Sequence, residues 1–322
     1  MRKTAWVLVC AGVLGFLGIQ AAPRGGAASA EGTTIAAPQG GAAGAEGATI
    51  AAPQGGAAGA EGTTIAAPQF KADEFADFAK WEDFLATAKI VKEERLPMSE
   101  GVTQPWKLTL EKDGVTNNAV WKNLSGTVKG FKESWKAEIA AYRLSRALGL
   151  NMVPPTVERE FRGDKGSIQL WVPFWKNFEA ITKEKLQPKG IKYTYFIRAL
   201  CLQRAFDNLL SNEDRHQRNY LITEDWRMIL IDHSRTFRTT NKFIKNLIYD
   251  ESFKEGKNFI MDTLPRKFYE AIKALTAGSI REIVGDTLTD EEISATMARQ
   301  VLMVAWIEKH IKEKGETYVL YD

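Results

Sequence analysis

The stretch DRHQRNYLITEDWRMILIDHS, residues 214–234, decides how this chain folds. Its first six residues are too polar for a core, yet they lie between the apolar run Tyr193–Leu210 and the short apolar run Tyr220–Ile222. Residues 223–225 break the pattern and Trp226–Ile231 resumes it, so the spacing predicts a β-hairpin. With a turn centred on Asp225 and Trp226, Tyr220 pairs with Ile231. Asn219 and Asp232 then stand side by side at the open end, about 5 Å apart in antiparallel geometry. A carboxylate and an amide oxygen at that separation suit Mg²⁺ or Mn²⁺ shared with phosphate oxygens better than a closed protein cage. Either residue alone would be an ordinary turn former; the paired placement argues for a metal. Asp214, in the same loop, has a carboxylate to offer an incoming hydroxyl.

Upstream, Trp106–Glu111 alternates apolar and polar residues, Asp113-Gly114 marks a turn, and a second run through 119–124 completes strand, turn and strand. Lys122 shares its parity with Val120 and Leu124, so its ammonium leaves from an apolar face and needs an anion. A helix is expected over Glu133–Leu148, stopped by Gly149 and Pro154-Pro155. In it Glu138 falls on the stripe of Trp135 and Tyr142, which makes it the partner for Lys122. Residues 168–174 (IQLWVPF) read as a short buried strand. Phe75, Phe78, Trp81, Phe84 and Leu85 predict an amphipathic helix over about 70–91. Thr289-Asp-Glu-Glu292 is a capping box opening a last helix to about Lys314. Strands come early and helices late, so the expected class is α+β, a small sheet lobe beside a larger helical lobe.

The order of strand lysine, helix glutamate, Asp-x4-Asn loop, hairpin and aspartate resembles that of a two-lobed phosphotransferase. Residues about 96–315 resemble atypical kinases of the phosphoinositide 3-/4-kinase-like superfamily, with kinship to HipA-type and secretory-pathway kinases. AVWK (119–122) is similar to the strand carrying the ATP-phosphate lysine, and EIAAYRLSRALGLNMVPPT (138–156) to the helix of its partner glutamate. DRHQRN (214–219) is similar to the catalytic loop and LIDHS (230–234) to the metal-binding aspartate segment.

That resemblance implies a protein-kinase-like fold with an N-lobe at about 96–175 and a C-lobe at about 176–322. It implies that Asp214 is the catalytic base, His216 a nearby transition-state or orienting group, and Asn219 and Asp232 the metal ligands. Lys122 would contact the α- and β-phosphates, held by Glu138. Gly101, in SEGVT (99–103), sits where a phosphate-covering turn belongs, and adenine would rest near Gln169–Phe174. ATP with Mg²⁺ or Mn²⁺ is then the expected cofactor set, and the acceptor is a hydroxyl on a protein, lipid or sugar. His233-Ser234 departs from the glycine or asparagine-glycine usual in such kinases. A pseudokinase or nucleotide-binding scaffold without turnover is the alternative reading.

Composition bounds the rest. The chain has 322 residues, 44% hydrophobic and 26% charged, with a formal charge of +3. It can bury a core, and its basic excess is too small for capture of nucleic acid. Cys10 and Cys201 are its only cysteines, so the part beyond the N-terminal segment has no internal disulfide. Residues 1–22, Arg2-Lys3 followed by an apolar run, read as an export signal or a membrane tether through residues 4–22. The expected location is therefore outside the cytoplasm or anchored at a membrane.

Residues 25–69 repeat one 15-residue unit three times, GGAASAEGTTIAAPQ and two near copies, and 23–69 reads as a flexible spacer before the folded part at 70–322. Arg235, Arg238, Lys242 and Lys245 follow the metal aspartate as a basic loop that is either a substrate loop or a solvated face. Trp135, Trp171, Trp175 and Trp226 are either a sugar-stacking wall or ordinary packing. Zinc is not expected: there is no HExxH, and His310 is remote from His216 and His233.

Overall fold

The computed structural model describes residues 74, 76–97, 105–128, 130–250 and 261–322. The export segment, the repeats and Gly101 lie outside them. The apolar stripe forms α1 (Phe78–Thr87), which ends four residues before the expected Val91; residues 70–73 and Phe75 lie outside the described residues. Ala88 turns extended, and the chain continues as β1 (Lys89–Arg95), an almost wholly exposed strand that apolar periodicity could not reveal. β2 (Trp106–Lys112) and β3 (Val115–Lys122) form the expected hairpin. Both turn residues, Asp113 and Gly114, have positive φ (51° and 76°), as a two-residue turn matched to strand twist requires.

A second hairpin follows, β4 (Ser125–Val128) and β5 (Phe131–Ser134), before α2 (Trp135–Ala147). Glu133, expected at the start of the helix, is therefore on β5. Ser134 is held extended because its backbone N–H donates to the Ser234 carbonyl at 2.9 Å. β6 (Thr156–Phe161) and β7 (Asp164–Leu170) close an antiparallel five-stranded sheet in the order β1-β2-β3-β7-β6. The strand expected at 168–174 thus begins earlier, and Trp171–Phe174 leave the sheet. Gly166 on β7 lets β3 come close: a Cβ there would collide with the Lys122 carbonyl and sit 2.7 Å from the Trp121 ring.

The remainder is mostly helical. β8 (Lys176–Asn177), α3 (Phe178–Lys183) and the long α4 (Ile191–Leu210) lead to β9 (Tyr220–Ile222) and β10 (Met228–Leu230). These strands form a small sheet in the order β10-β9-β8. Then come α5 (Asn241–Lys245), β11 (Leu264–Pro265), α6 (Arg266–Ala274), α7 (Ala277–Val284), α8 (Asp290–Lys314), α9 (Glu316–Val319) and β12 (Leu320–Tyr321). The α8 capping box is formed as expected, Thr289 and Glu292 each accepting the other's backbone N–H. α4 buries nearly its whole circumference from Phe196 to Leu210 and is the axis of the helical core. Trp175 and Trp226 meet edge to face at 5.9 Å; Trp226 also packs on Phe196, whereas Trp175 remains exposed. Among the described residues no helix is long and apolar enough to cross a membrane.

Candidate functional site

β3 has two unlike faces. Ala119 and Trp121 are buried in the core, whereas Val120 and Lys122 are half-buried. The apolar parity of Lys122 therefore belongs to the wall of a cleft, not to the core as its pattern suggested. That wall continues into a pocket lined by Val120, Lys122, Gln169, Leu170, Trp171, Val172, Leu221 and Ile231. The lining joins the five-stranded sheet, the segment leaving it, and the β9–β10 hairpin. Gln169 is held by donation to the Thr156 hydroxyl at 2.9 Å.

Lys122, in the lining of this pocket, has its Nζ 2.6 Å from Glu138 Oε1 and 2.9 Å from Asp232 Oδ1. Glu138 Oε2 accepts the backbone N–H of His233 at 2.9 Å. Burial works to lower the Lys122 ammonium, but the charges of Asp232 and Glu138 outweigh it and its pKa is raised. Burial likewise works to raise Asp232, yet Lys122, Arg215 and Arg235 hold its carboxyl below the ordinary value. Glu138 is pushed up by burial, with Lys122 pulling against it and Asp232 adding to it. One lysine thus serves two carboxylates of unequal acidity.

The hairpin is present, with one correction. Its register pairs Tyr220 with Leu230, not Ile231. The loop has three residues rather than two: Thr223 and Arg227 close it, and Trp226 adopts φ 68°. Asn219 consequently stands opposite Ile231, whose N–H donates to its carbonyl at 3.1 Å. Asp232 is one residue further on, in the left-handed region at φ 61°, a conformation uncommon for a residue with a side chain. Asn219 is fully buried, and neither its Oδ1 nor its Nδ2 has a partner.

Asp214 is bound on both oxygens, Oδ1 lying 2.8 Å from His216 Nε2 and Oδ2 2.9 Å from Arg235 Nη1. The hydrogen bond to Asp214 raises the pKa of His216 against the opposing effect of burial. Of the expected residues, Lys122 is in direct contact with both Glu138 and Asp232, Asn219 stands opposite Ile231, and Asp214 is held separately, by His216 and by Arg235 three residues after Asp232.

Sequence reasoning missed the supports. Arg215 Nε and Nη2 grip both oxygens of Asp207 at 2.9 Å, and its Nη1 donates to the Ile231 carbonyl at 2.7 Å. An arginine has no acceptor, so the 2.9 Å contact from Arg215 Nη2 makes His233 Nε2 the acceptor and puts the ring proton on Nδ1. Burial, then the charges of Arg215 and Lys122, hold His233 well below its ordinary pKa and neutral. The available signal was Asp207 itself, the one acidic residue in the helix Ile191–Leu210.

No family model matches the chain, and comparison with curated proteins finds no match. Solved structures do match. Hydra Fam20 with sugar aligns with a TM-score of 0.55 at 17% identity, over 78% of this chain and 94% of that one. The Golgi casein kinase aligns with a TM-score of 0.54 at 18% identity, over 76% and 77%. Its form with Mn and ADP bound gives 0.55 at 16% identity, over 76% and 78%. The fold is kinase-like and two-lobed.

Proposed function

We propose that this chain is a metal-dependent, ATP-using phosphotransferase with a hydroxyl acceptor. The observation that carries the reading is the contact of Lys122, a residue lining the cleft, with both Glu138 and Asp232. Phosphoryl transfer asks mainly for positioning and charge neutralisation, which a lysine, carboxylates and a metal supply without a covalent nucleophile. In this reading Lys122 neutralises phosphate oxygens, Glu138 holds it in place, and the pocket beside Gln169 and Val172 takes the nucleobase. Asp214 orients the hydroxyl and accepts its proton, with His216 fixing the carboxylate. Asn219 and Asp232 fit a hard cation: a buried amide with both polar atoms unpartnered has the character of a ligand position. When bound, Mg²⁺ or Mn²⁺ would neutralise charge on the phosphates.

The motif order supports membership of the phosphoinositide 3-/4-kinase-like superfamily, and the similarity in fold to a kinase described with Mn and ADP supports the nucleotide and metal assignment. The similarity to a Golgi kinase accords with export directed by residues 1–22 and a spacer at 23–69. Proteins and sugars are the favoured acceptors, by analogy with the casein kinase and the sugar-bound neighbour. The full chain is expected to release or transfer the γ-phosphate of ATP in Mn²⁺ or Mg²⁺, and Asp232→Ala to abolish this. Metal-dependent stabilisation by ATP with no turnover would instead establish the scaffold reading.

A further inference from the structure

We infer that Arg235 is a positioning residue that sets the orientation of Asp214 and couples it to the β4–β5 hairpin. This rests on the phosphotransfer reading, in which Asp214 is the base. Arg235 follows Asp232 by three residues and spans two carboxylates: its Nε lies 2.6 Å from Glu133 Oε1, and its Nη1 lies 2.9 Å from Asp214 Oδ2. Glu133 is only 2% exposed, so its charge requires a buried partner, and Arg235 is placed to be that partner. The guanidinium also lies over the Phe131 ring, 4.4 Å from its centroid. The hairpin is tied to the same segment by the Ser134 N–H on the Ser234 carbonyl. The Glu133 carboxylate, the Phe131 ring and the backbone bond on the preceding residue, Ser234, therefore fix one arginine.

The consequence falls on Asp214. With Oδ1 on His216 and Oδ2 on Arg235, the carboxylate cannot rotate, while each oxygen keeps a lone pair for an incoming hydroxyl. A lone arginine on a base would weaken it by stabilising its charged form. Here the cation is shared with Glu133, so the trio Glu133, Arg235 and Asp214 retains one net negative charge with which to receive the acceptor proton. Lysine could not replace it, because one ammonium lacks the fork that reaches both carboxylates.

The test uses the full chain with ATP and Mn²⁺, measuring kcat and KM for ATP, the Kd of Mn·ADP and the melting temperature. Arg235→Ala should lower kcat roughly a hundredfold, as for a displaced reacting group, with KM and the ADP Kd within about twofold of wild type. Arg235→Lys should recover only part of the loss. Glu133→Gln should lower kcat by less, and combining it with Arg235→Ala should add nothing, as for two residues acting through one link. An Arg235→Ala protein with wild-type kcat, additive losses in the double variant, or a loss confined to KM or accounted for by unfolding would each overturn the inference. A wild-type chain that turns over no ATP overturns both this and the phosphotransfer reading; a wild-type chain that does, beside an unaffected Arg235→Ala, overturns this inference alone.

Discussion

Glu138 accepts the backbone N–H of His233 across 95 residues of sequence, at 2.9 Å. Its other oxygen holds Lys122. One buried side chain of α2 therefore fixes both the lysine of β3 and the backbone that follows Asp232, which joins the sheet lobe to the segment behind the hairpin. Its removal affects stability and nucleotide affinity together.

Glu138→Gln breaks a buried ion pair while keeping shape. Such a change removes one of the two carboxylates that hold Lys122 and leaves Asp232 as its remaining charged partner, so the expected loss is that of one charged hydrogen bond, about 2 kcal/mol of unfolding free energy. Urea denaturation should show a lower midpoint with an unchanged slope. The stabilisation conferred by Mn·ADP in a thermal shift should also shrink. A variant as stable as wild type would contradict the assignment of this pair.

Asp214 and Asp232 should separate in their effects. Asp214→Asn should retain the thermal shift with Mn·ADP but lose turnover by roughly 10²-fold or more, the usual contribution of a general base. Asp232→Asn should lose both. Isothermal titration with Mn·ADP beside a phosphate-release assay distinguishes them, and equal loss of ADP binding in the two variants would remove Asp214 from the role of base.

Asp207→Asn should be as damaging as a change in the site itself. Arg215 is buried with its bidentate partner and also holds the Ile231 carbonyl next to Asp232. Leaving that guanidinium uncompensated should cost about 3 kcal/mol or more. A double-mutant cycle of Asp207→Asn with Arg215→Met would check it: the pair together should be less destabilised than the sum of the single changes.

Glu292 gives a pH test remote from the cleft. Burial works to raise its carboxyl, but the Lys132 ammonium and the Thr289 N–H outweigh it and hold it below its ordinary value of 4.5. A lowered folded value means the carboxylate adds stability that is complete above about pH 4.5 and is lost as the pH falls through the folded value. Glu292→Gln should therefore be less stable than wild type by about 1 kcal/mol at pH 7, the usual scale of a helix cap, and the gap should close toward pH 3. A gap independent of pH would show that the charge contributes nothing.

Much of the site was legible where its signal was local. The Asp113-Gly114 turn, the capping box at Thr289 and the hairpin after Asn219 each depend on neighbouring residues, so their chemistry is written in adjacent positions. β1 was invisible because its exposed, charged residues carry no apolar alternation. The β9–β10 register was off by one residue because loop length is set by how Thr223 and Arg227 close the turn, and no alternation rule distinguishes two loop residues from three.

The chain's own order of residues determined an α+β class, an apolar run after Arg2-Lys3 and a 15-residue repeat over 25–69, and it raised the expectation that Lys122, Glu138, Asp214, Asn219 and Asp232 share one site. Only tertiary structure decided that Lys122 bridges Glu138 and Asp232, that Arg215 clamps the hairpin through Asp207, and that Arg235 joins Asp214 to Glu133. The physical reason is range. A turn or a cap is settled by neighbours a few residues away, whereas a buried charge finds its partner only after the chain has brought distant segments together, and the partner is chosen by which carboxylate lies within hydrogen-bond reach once water has been excluded.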